Sequence, residues 1–263
     1  MKVKEIEKHI IDWLKEYATS AGVSGFTVGI SGGIDSALVS TLCCKTGLPT
    51  QLVSLPIHQA SSHLSRASQH IEYLLSLYPN ARGMEIDLSH TFDTLKDVMP
   101  ICEDEKKYLL SCANDRSRLR MIALYHVAAI SGTLVVGTGN KIEDFGVGFF
   151  TKWGDGGVDL SPIGDLTKTQ VYELSSYMGV GEMILNAAPS DGLFDNDQND
   201  EMQLGATYPE LEWAMDMASL GKTPQDFTGR QREVMNIYTS RNRANQHKIR
   251  PIPVCSIPKE YLL

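Results

Sequence analysis

The residues whose types and spacing best suit chemistry are Ser31-Gly32-Gly33-Ile34-Asp35-Ser36. They follow the apolar stretch Phe26-Thr27-Val28-Gly29-Ile30 and precede Ala37-Leu38-Val39. A strand feeding a glycine-rich turn that opens a helix makes a phosphate cradle. Backbone N–H groups point outward, the helix N-terminus carries partial positive charge, and the glycines let an oxyanion approach the backbone. A Walker-type loop would place a lysine after the glycines. Here Ser31, Ser36 and Asp35 supply hydroxyls and a carboxylate instead. A plain strand–helix connection is the alternative reading of such a turn.

This turn needs a sheet to hold it. Apolar β-type runs recur at 26–30, 51–57, 84–88 and 133–137, separated by helical periodicity around 37–46, 60–78, 91–99 and 111–131. Alternation of this kind predicts a parallel sheet covered on both faces, with ligands beyond the carboxyl ends of the strands. The 31–36 turn and Gly137-Thr138-Gly139-Asn140 both fall at such ends. The stretch 146–165 is glycine-rich with little periodicity, which predicts a long functional loop, and a helix resumes near Thr167. The polar run 189–201 has the look of a calcium loop but lacks glycine at its sixth position and glutamate at its twelfth, so it reads as a solvated loop.

With 263 residues, 42% hydrophobic and 21% charged, the chain predicts a soluble α/β domain spanning residues 1–263. No apolar run approaches a bilayer span, so no membrane partner is expected. The start of the chain is charged and amphipathic, with Ile6, Ile10 and Leu14 at helical spacing, which points to the cytoplasm. Five cysteines without a C-x-x-C predict reduced packing residues rather than disulfides or a zinc ribbon. His58 and His63, separated by serines among others, read as surface or cap residues rather than zinc ligands. A net charge of −8 argues against nucleic acid as a partner.

The 31–36 turn resembles the S-G-G-x-D-S loop of the ATP pyrophosphatases, which split ATP between the α and β phosphates. Three further stretches narrow the resemblance: Gly137-Thr138-Gly139-Asn140-Lys141-Ile142-Glu143, Gly148-Phe149-Phe150-Thr151-Lys152-Trp153-Gly154-Asp155-Gly156-Gly157-Val158-Asp159-Leu160, and Pro162-Ile163-Gly164-Asp165-Leu166-Thr167-Lys168-Thr169-Gln170-Val171. Together they resemble the ammonia-dependent NAD synthetase family over nearly the whole chain. The resemblance implies a doubly wound, mainly parallel five-stranded sheet with helices on both faces, of the adenine nucleotide alpha hydrolase type. It also implies a homodimer with deamido-NAD, ATP and ammonia as substrates and Mg2+ as cofactor. With no glutaminase domain before the first loop, free ammonia is the expected nitrogen donor.

By the same resemblance Asp35 and Glu143 hold the Mg2+, and hard carboxylate oxygens suit that ion. Ser31, Gly32, Gly33, Asp35 and Ser36 meet ATP and its pyrophosphate, with Thr138, Lys168 and Ser190 on the ATP side. Asn114, Arg118, Phe149, Lys152, Asp159, His247 and Lys248 meet deamido-NAD, with Arg120 a weaker pick. Lys152 and Lys168 neutralise phosphate charge as the α–β bond breaks. Asp155 is the candidate to gather ammonium and accept its proton, against a turn-forming role beside its glycines. Relative to many relatives, the segment between Glu143 and Gly148 is one residue longer, and Ser190 stands where threonine is common. Alternatives are a GMP-synthetase-like or tRNA-modifying adenylating enzyme, disfavoured by the 149–155 stretch, and a non-catalytic nucleotide sensor, disfavoured by the complete set Asp35, Glu143, Lys152 and Lys168.

Overall fold

The computed structural model describes residues 1–59, 61–189 and 200–262. In chain order the elements are α1 (Val3–Ala21), β1 (Gly25–Gly29), α2 (Ile34–Lys45), β2 (Thr50–Ser54), α3 (Ser61–Leu77), β3 (Ala81–Glu85), α4 (Ser89–Val98), α5 (Glu105–Ser131) and β4 (Thr133–Val136). A π-helical turn (Ile142–Val147) follows, then α6 (Lys168–Tyr177), α7 (Glu182–Leu185), α8 (Asp200–Leu204), α9 (Tyr208–Ser219) and α10 (Gly229–Ile249). Among the described residues no helix is long and apolar enough to cross a membrane.

The sheet is all parallel, in the order β3-β2-β1-β4. Four strands pair among the described residues where the family resemblance implied five. The next position beside β4 is marked by a single parallel bridge between Val136 and Leu160. Glycines on both sides of this bridge and a carboxylate at Asp159 give the passing segment too little β propensity to extend it.

Side-chain alternation along the strands divides the core. Phe26, Val28 and Leu52 face the layer of α1, α2, α3 and α6, where Leu14, Leu38, Leu42, Leu74 and Leu174 are fully buried. Val53 and Leu55 face Val127 and Leu124 of α5. Gly29 lets α5 close on that side, because a Cβ there would stand 3.2 Å from Leu124 Cδ1. Successive strands step outward from β1 to β2 to β3, then the chain returns through α5 to place β4 on the other side of β1. The loops after β1 and β4 therefore part from one another, which opens the crevice where such sheets take ligands.

A second cluster lies against this crevice. Ile142 and Val147 of the π-helical turn pack with Leu204, Tyr208, Leu211, Val234 and Met235. Capping boxes at Thr167 with Gln170 and at Thr207 with Glu210 fix the starts of α6 and α9. Of the five free cysteines, Cys43, Cys44 and Cys112 are buried packing residues as expected, whereas Cys102 and Cys255 are exposed.

Candidate active site

The glycine turn is held by its own hydroxyls. Ser36 Oγ donates to the Gly33 carbonyl at 2.9 Å and lies 3.1 Å from Ser31 Oγ, which accepts from Gly33 N–H at 3.2 Å. Gly33 caps α2, and Gly32 sits at φ +82°, a left-handed conformation that glycine adopts freely. Ser31, Gly33, Ser36 and, across the crevice, Thr138 line one cleft.

Asp35, one residue into α2, meets Glu143 from the π-helical turn through Lys168, the first residue of α6. Lys168 Nζ is 2.5 Å from Asp35 Oδ2 and 3.1 Å from Glu143 Oε1, with its side chain 4% exposed. Burial by itself favours the neutral amine, but the Asp35 and Glu143 charges outweigh it and hold Lys168 protonated. At Asp35 burial pushes the carboxyl upward while the ammonium pulls it back. Both carboxylate oxygens are thus within reach of a single cation. They fit a hard ion that takes two protein carboxylates and completes its shell with phosphate and water.

Residues that sequence reasoning did not single out tie the pair together. Asn140, fully buried, donates to Asp35 Oδ1 at 3.1 Å and accepts the N–H groups of Ile142 and Glu143 at 3.1 and 3.2 Å. One amide therefore sets both candidate metal ligands. Tyr208, from α9, donates to Glu143 Oε1 at 2.5 Å and lays its ring 4.8 Å from Lys168 Nζ. The segment that carries Glu143, Ile142–Val147, is wound as a π-helix, a form that recurs at functional sites. It turns Asp144 into the cleft, where burial and the Glu143, Asp155 and Asp35 charges push its carboxyl well above the usual carboxylate range. Asn140 was within the quoted G-T-G-N motif; Tyr208 and Asp144 carry no motif at all.

The 151–155 turn is braced from α5. Thr151 Oγ1 donates to Asn114 Oδ1 at 2.7 Å. Three residues on, Ser117 Oγ donates to Asp155 Oδ1 at 2.7 Å and accepts Asp155 N–H at 2.8 Å; Thr151 N–H adds a second bond to Oδ1 at 2.9 Å. Asp155 is reached by solvent through the cleft yet surrounded by protein, and that enclosure pushes its carboxyl upward. Oδ1 is engaged in the turn, and no hydrogen bond reaches Oδ2 from the described residues. Asp155 forms the turn through Oδ1, as the turn-forming reading expects, and its side chain lines the cleft.

Other expected residues fall in different places. Phe149 lines the cleft, and Arg120 lines it while donating to the Leu55 carbonyl at 3.0 Å. Lys152 donates to the His247 carbonyl and Lys248 to the Phe150 carbonyl, both at 2.6 Å, so these four residues form a reciprocal clasp between the 149–153 segment and the end of α10. Asp159 accepts from Val135 N–H at 2.8 Å and from the Tyr125 hydroxyl at 3.0 Å, bracing the edge of β4. Arg118 stands apart, exposed and 3.6 Å from Asp115. Ser190 lies outside the described residues, as does most of the 189–201 segment expected to be a solvated loop.

A parallel sheet with a hydroxyl-lined glycine turn and a carboxylate pair at its switch point defines an α/β protein of the doubly wound class, with its crevice where such sheets take ligands. The chain belongs to the NAD synthase family, whose sequence profile matches residues 6–252. It is 39% identical over 259 residues to the NH(3)-dependent NAD(+) synthetase of Methanosarcina mazei, covering 97% of this chain and 98% of that one. Among solved structures it resembles the NMN synthetase of Francisella tularensis at 32% identity and a TM-score of 0.81, covering 98% and 99% of the two chains. The fold also matches an NH3-dependent NAD synthetase from Campylobacter jejuni at a TM-score of 0.78 and 23% identity, over 97% and 100% of the chains.

Proposed function

We propose that this chain is an ammonia-dependent NAD synthetase, a ligase that makes an amide with ATP giving AMP and pyrophosphate. Membership in the NAD synthase family supports the reaction class. The observation that carries the site assignment is the convergence of Asp35 and Glu143 on one buried cation beside the glycine turn. In the first step a nicotinate carboxylate oxygen of deamido-NAD attacks the α-phosphorus, and the bond to the bridging oxygen breaks with its electron pair leaving on pyrophosphate. In the second, ammonia adds to the activated carbonyl and AMP departs.

In this reading the 31–36 turn holds the leaving phosphates with backbone N–H groups and the Ser31 and Ser36 hydroxyls. Asp35 and Glu143 would hold Mg2+, which supplies charge neutralisation on the phosphates. Lys168, then released from sole responsibility for the two carboxylates, points its charge at the same oxygens. Thr138 meets the ATP side; Phe149, Asn114, Arg118, Asp159 and the Lys152, His247 and Lys248 clasp meet the nicotinate nucleotide. Asp155 Oδ2 gathers ammonium and accepts its proton. The chain acts as one domain in the cytoplasm. It works as a homodimer, with the exposed Ile122 and Ile130 of α5 facing a second copy beside Arg118.

The likeness to an NMN synthetase favours a second reading, the same chemistry on nicotinic acid mononucleotide. One assay decides. Purified protein with ATP and Mg2+ is given deamido-NAD or nicotinic acid mononucleotide, each with ammonium or glutamine. NAD and AMP from deamido-NAD with ammonium alone establish the first reading; NMN and AMP from the mononucleotide alone transfer the assignment to the second. Absence of AMP from every arm overturns both.

A further inference from the structure

The 31–36 turn has no cation of its own, where other nucleotide loops end in a lysine. The fold brings one from α3. That helix lies directly against the turn: a Cβ on Gly32 would stand 2.7 Å from the His63 carbonyl oxygen and 3.2 Å from both Ala67 N and Arg66 Cβ. From this position Arg66 Nε donates to the Gly32 carbonyl at 3.2 Å, and Arg66 Nη2 lies 3.1 Å from His63 Nδ1. Arg66 lines the same cleft as Ser31, Gly33, Ser36 and Lys168.

We propose that Arg66 is a further catalytic residue, binding the β- and γ-phosphates and holding them as pyrophosphate departs. Its charge is available for this because its partners are a neutral carbonyl and an imidazole, whereas Lys168 already faces two carboxylates. A guanidinium carries five N–H donors, so two bonds to the protein leave others for phosphate, and its planar fork matches two phosphate oxygens at once. The bond to Gly32 fixes the fork at the lip of the turn. No proton moves in this step. The α-phosphorus to bridging-oxygen bond breaks, the electron pair stays on pyrophosphate, and the fixed positive charge meets the growing negative one. The assignment of pyrophosphate as leaving group rests on the reading given under Proposed function.

The test is titration calorimetry of Mg2+-pyrophosphate, with AMP as a control, into the full-length wild type, Arg66→Gln and Arg66→Lys. Glutamine keeps a donor for the Gly32 carbonyl and removes the charge; lysine keeps the charge and removes the fork. Arg66→Gln is expected to weaken pyrophosphate binding about 10- to 100-fold with AMP binding unchanged, and Arg66→Lys to weaken it less. Pyrophosphate binding within twofold of wild type in Arg66→Gln overturns the proposal, as does equal loss of pyrophosphate and AMP, which marks a prop for the turn. Should the variants not fold, phenylglyoxal labelling of wild type read by peptide mapping serves: protection of Arg66 by pyrophosphate supports the role, and no protection refutes it. These are binding measurements, so a protein that binds pyrophosphate through Arg66 but makes neither NAD nor NMN would sink the functional reading alone.

Discussion

Lys168 Nζ lies 2.5 Å from Asp35 Oδ2, an ion pair between the first turns of two helices that approach the crevice from different parts of the chain. Its partner at Glu143 makes the lysine the counter-charge for two carboxylates that would otherwise be enclosed together. Removing one member of a buried pair leaves the others uncompensated, which costs about 3 kcal/mol or more. Lys168→Met should therefore lower the stability of the metal-free protein by roughly that amount. Millimolar Mg2+ should restore more of it in the variant than it adds to wild type, because the cation replaces the ammonium. Urea unfolding with and without Mg2+ checks this; an equal response of the two proteins would mean that Asp35 and Glu143 are not the metal ligands.

Asp155→Asn separates the two uses of that side chain. The amide oxygen can still accept from Ser117 and Thr151, so the turn survives, but an amide cannot take a proton from ammonium. Single-turnover experiments should show pyrophosphate release at near wild-type rate and amide formation slowed about 100-fold or more. Equal slowing of both steps would reduce Asp155 to a structural residue.

Much of this arrangement is legible in the sequence, and the failures have physical causes. The β1 turn and the G-T-G-N end of β4 are local, so strand, glycines and helix start announce themselves in order. β3 was expected at 84–88 and forms at Ala81–Glu85. It is an edge strand with mostly exposed residues; Met84 pairs with Val53 in the ladder, while the apolar signal of Ile86 and Leu88 beyond it belongs to packing under α5 and α4. α9 and α10 escaped notice because α10 buries only Val234, Met235 and Tyr238 along its 21 residues. Arg66 and Tyr208 reach the site from elements far away in sequence, and no spacing rule connects them to Gly32 or Glu143. The π-helical winding that aims Asp144 has no signature in the residue types or periodicity of 142–147.

That winding has a second requirement, at Gly139. A Cβ there would stand 2.1 Å from Asp144 Oδ2, so the carboxylate occupies the space a side chain would need. Gly139→Ala should destabilise the protein by about 1–3 kcal/mol through overpacking. Adding Asp144→Ala should recover most of the loss, a non-additivity that a double-mutant cycle in urea measures. Simple additivity would show that the strain lies in the backbone of residue 139 and not in the contact.

His70 gives the protein an acid limb of stability that is independent of the cleft. It is 4% exposed, between α3 and α2, with Nε2 3.0 Å from Ser40 Oγ. Burial disfavours the charged ring and lowers its pKa from 6.5 to about 4. Between those values the unfolded chain binds a proton that the folded chain refuses, so stability rises with pH across that window and falls as the solution is acidified through it. The shift corresponds to about 3 kcal/mol at full extent, at about 1.36 kcal/mol per unit. His70→Gln, which retains a partner for Ser40, should flatten the dependence of unfolding free energy on pH between 6.5 and 4. An undiminished slope in the variant would place the acid sensitivity in the carboxylates around Asp144 instead.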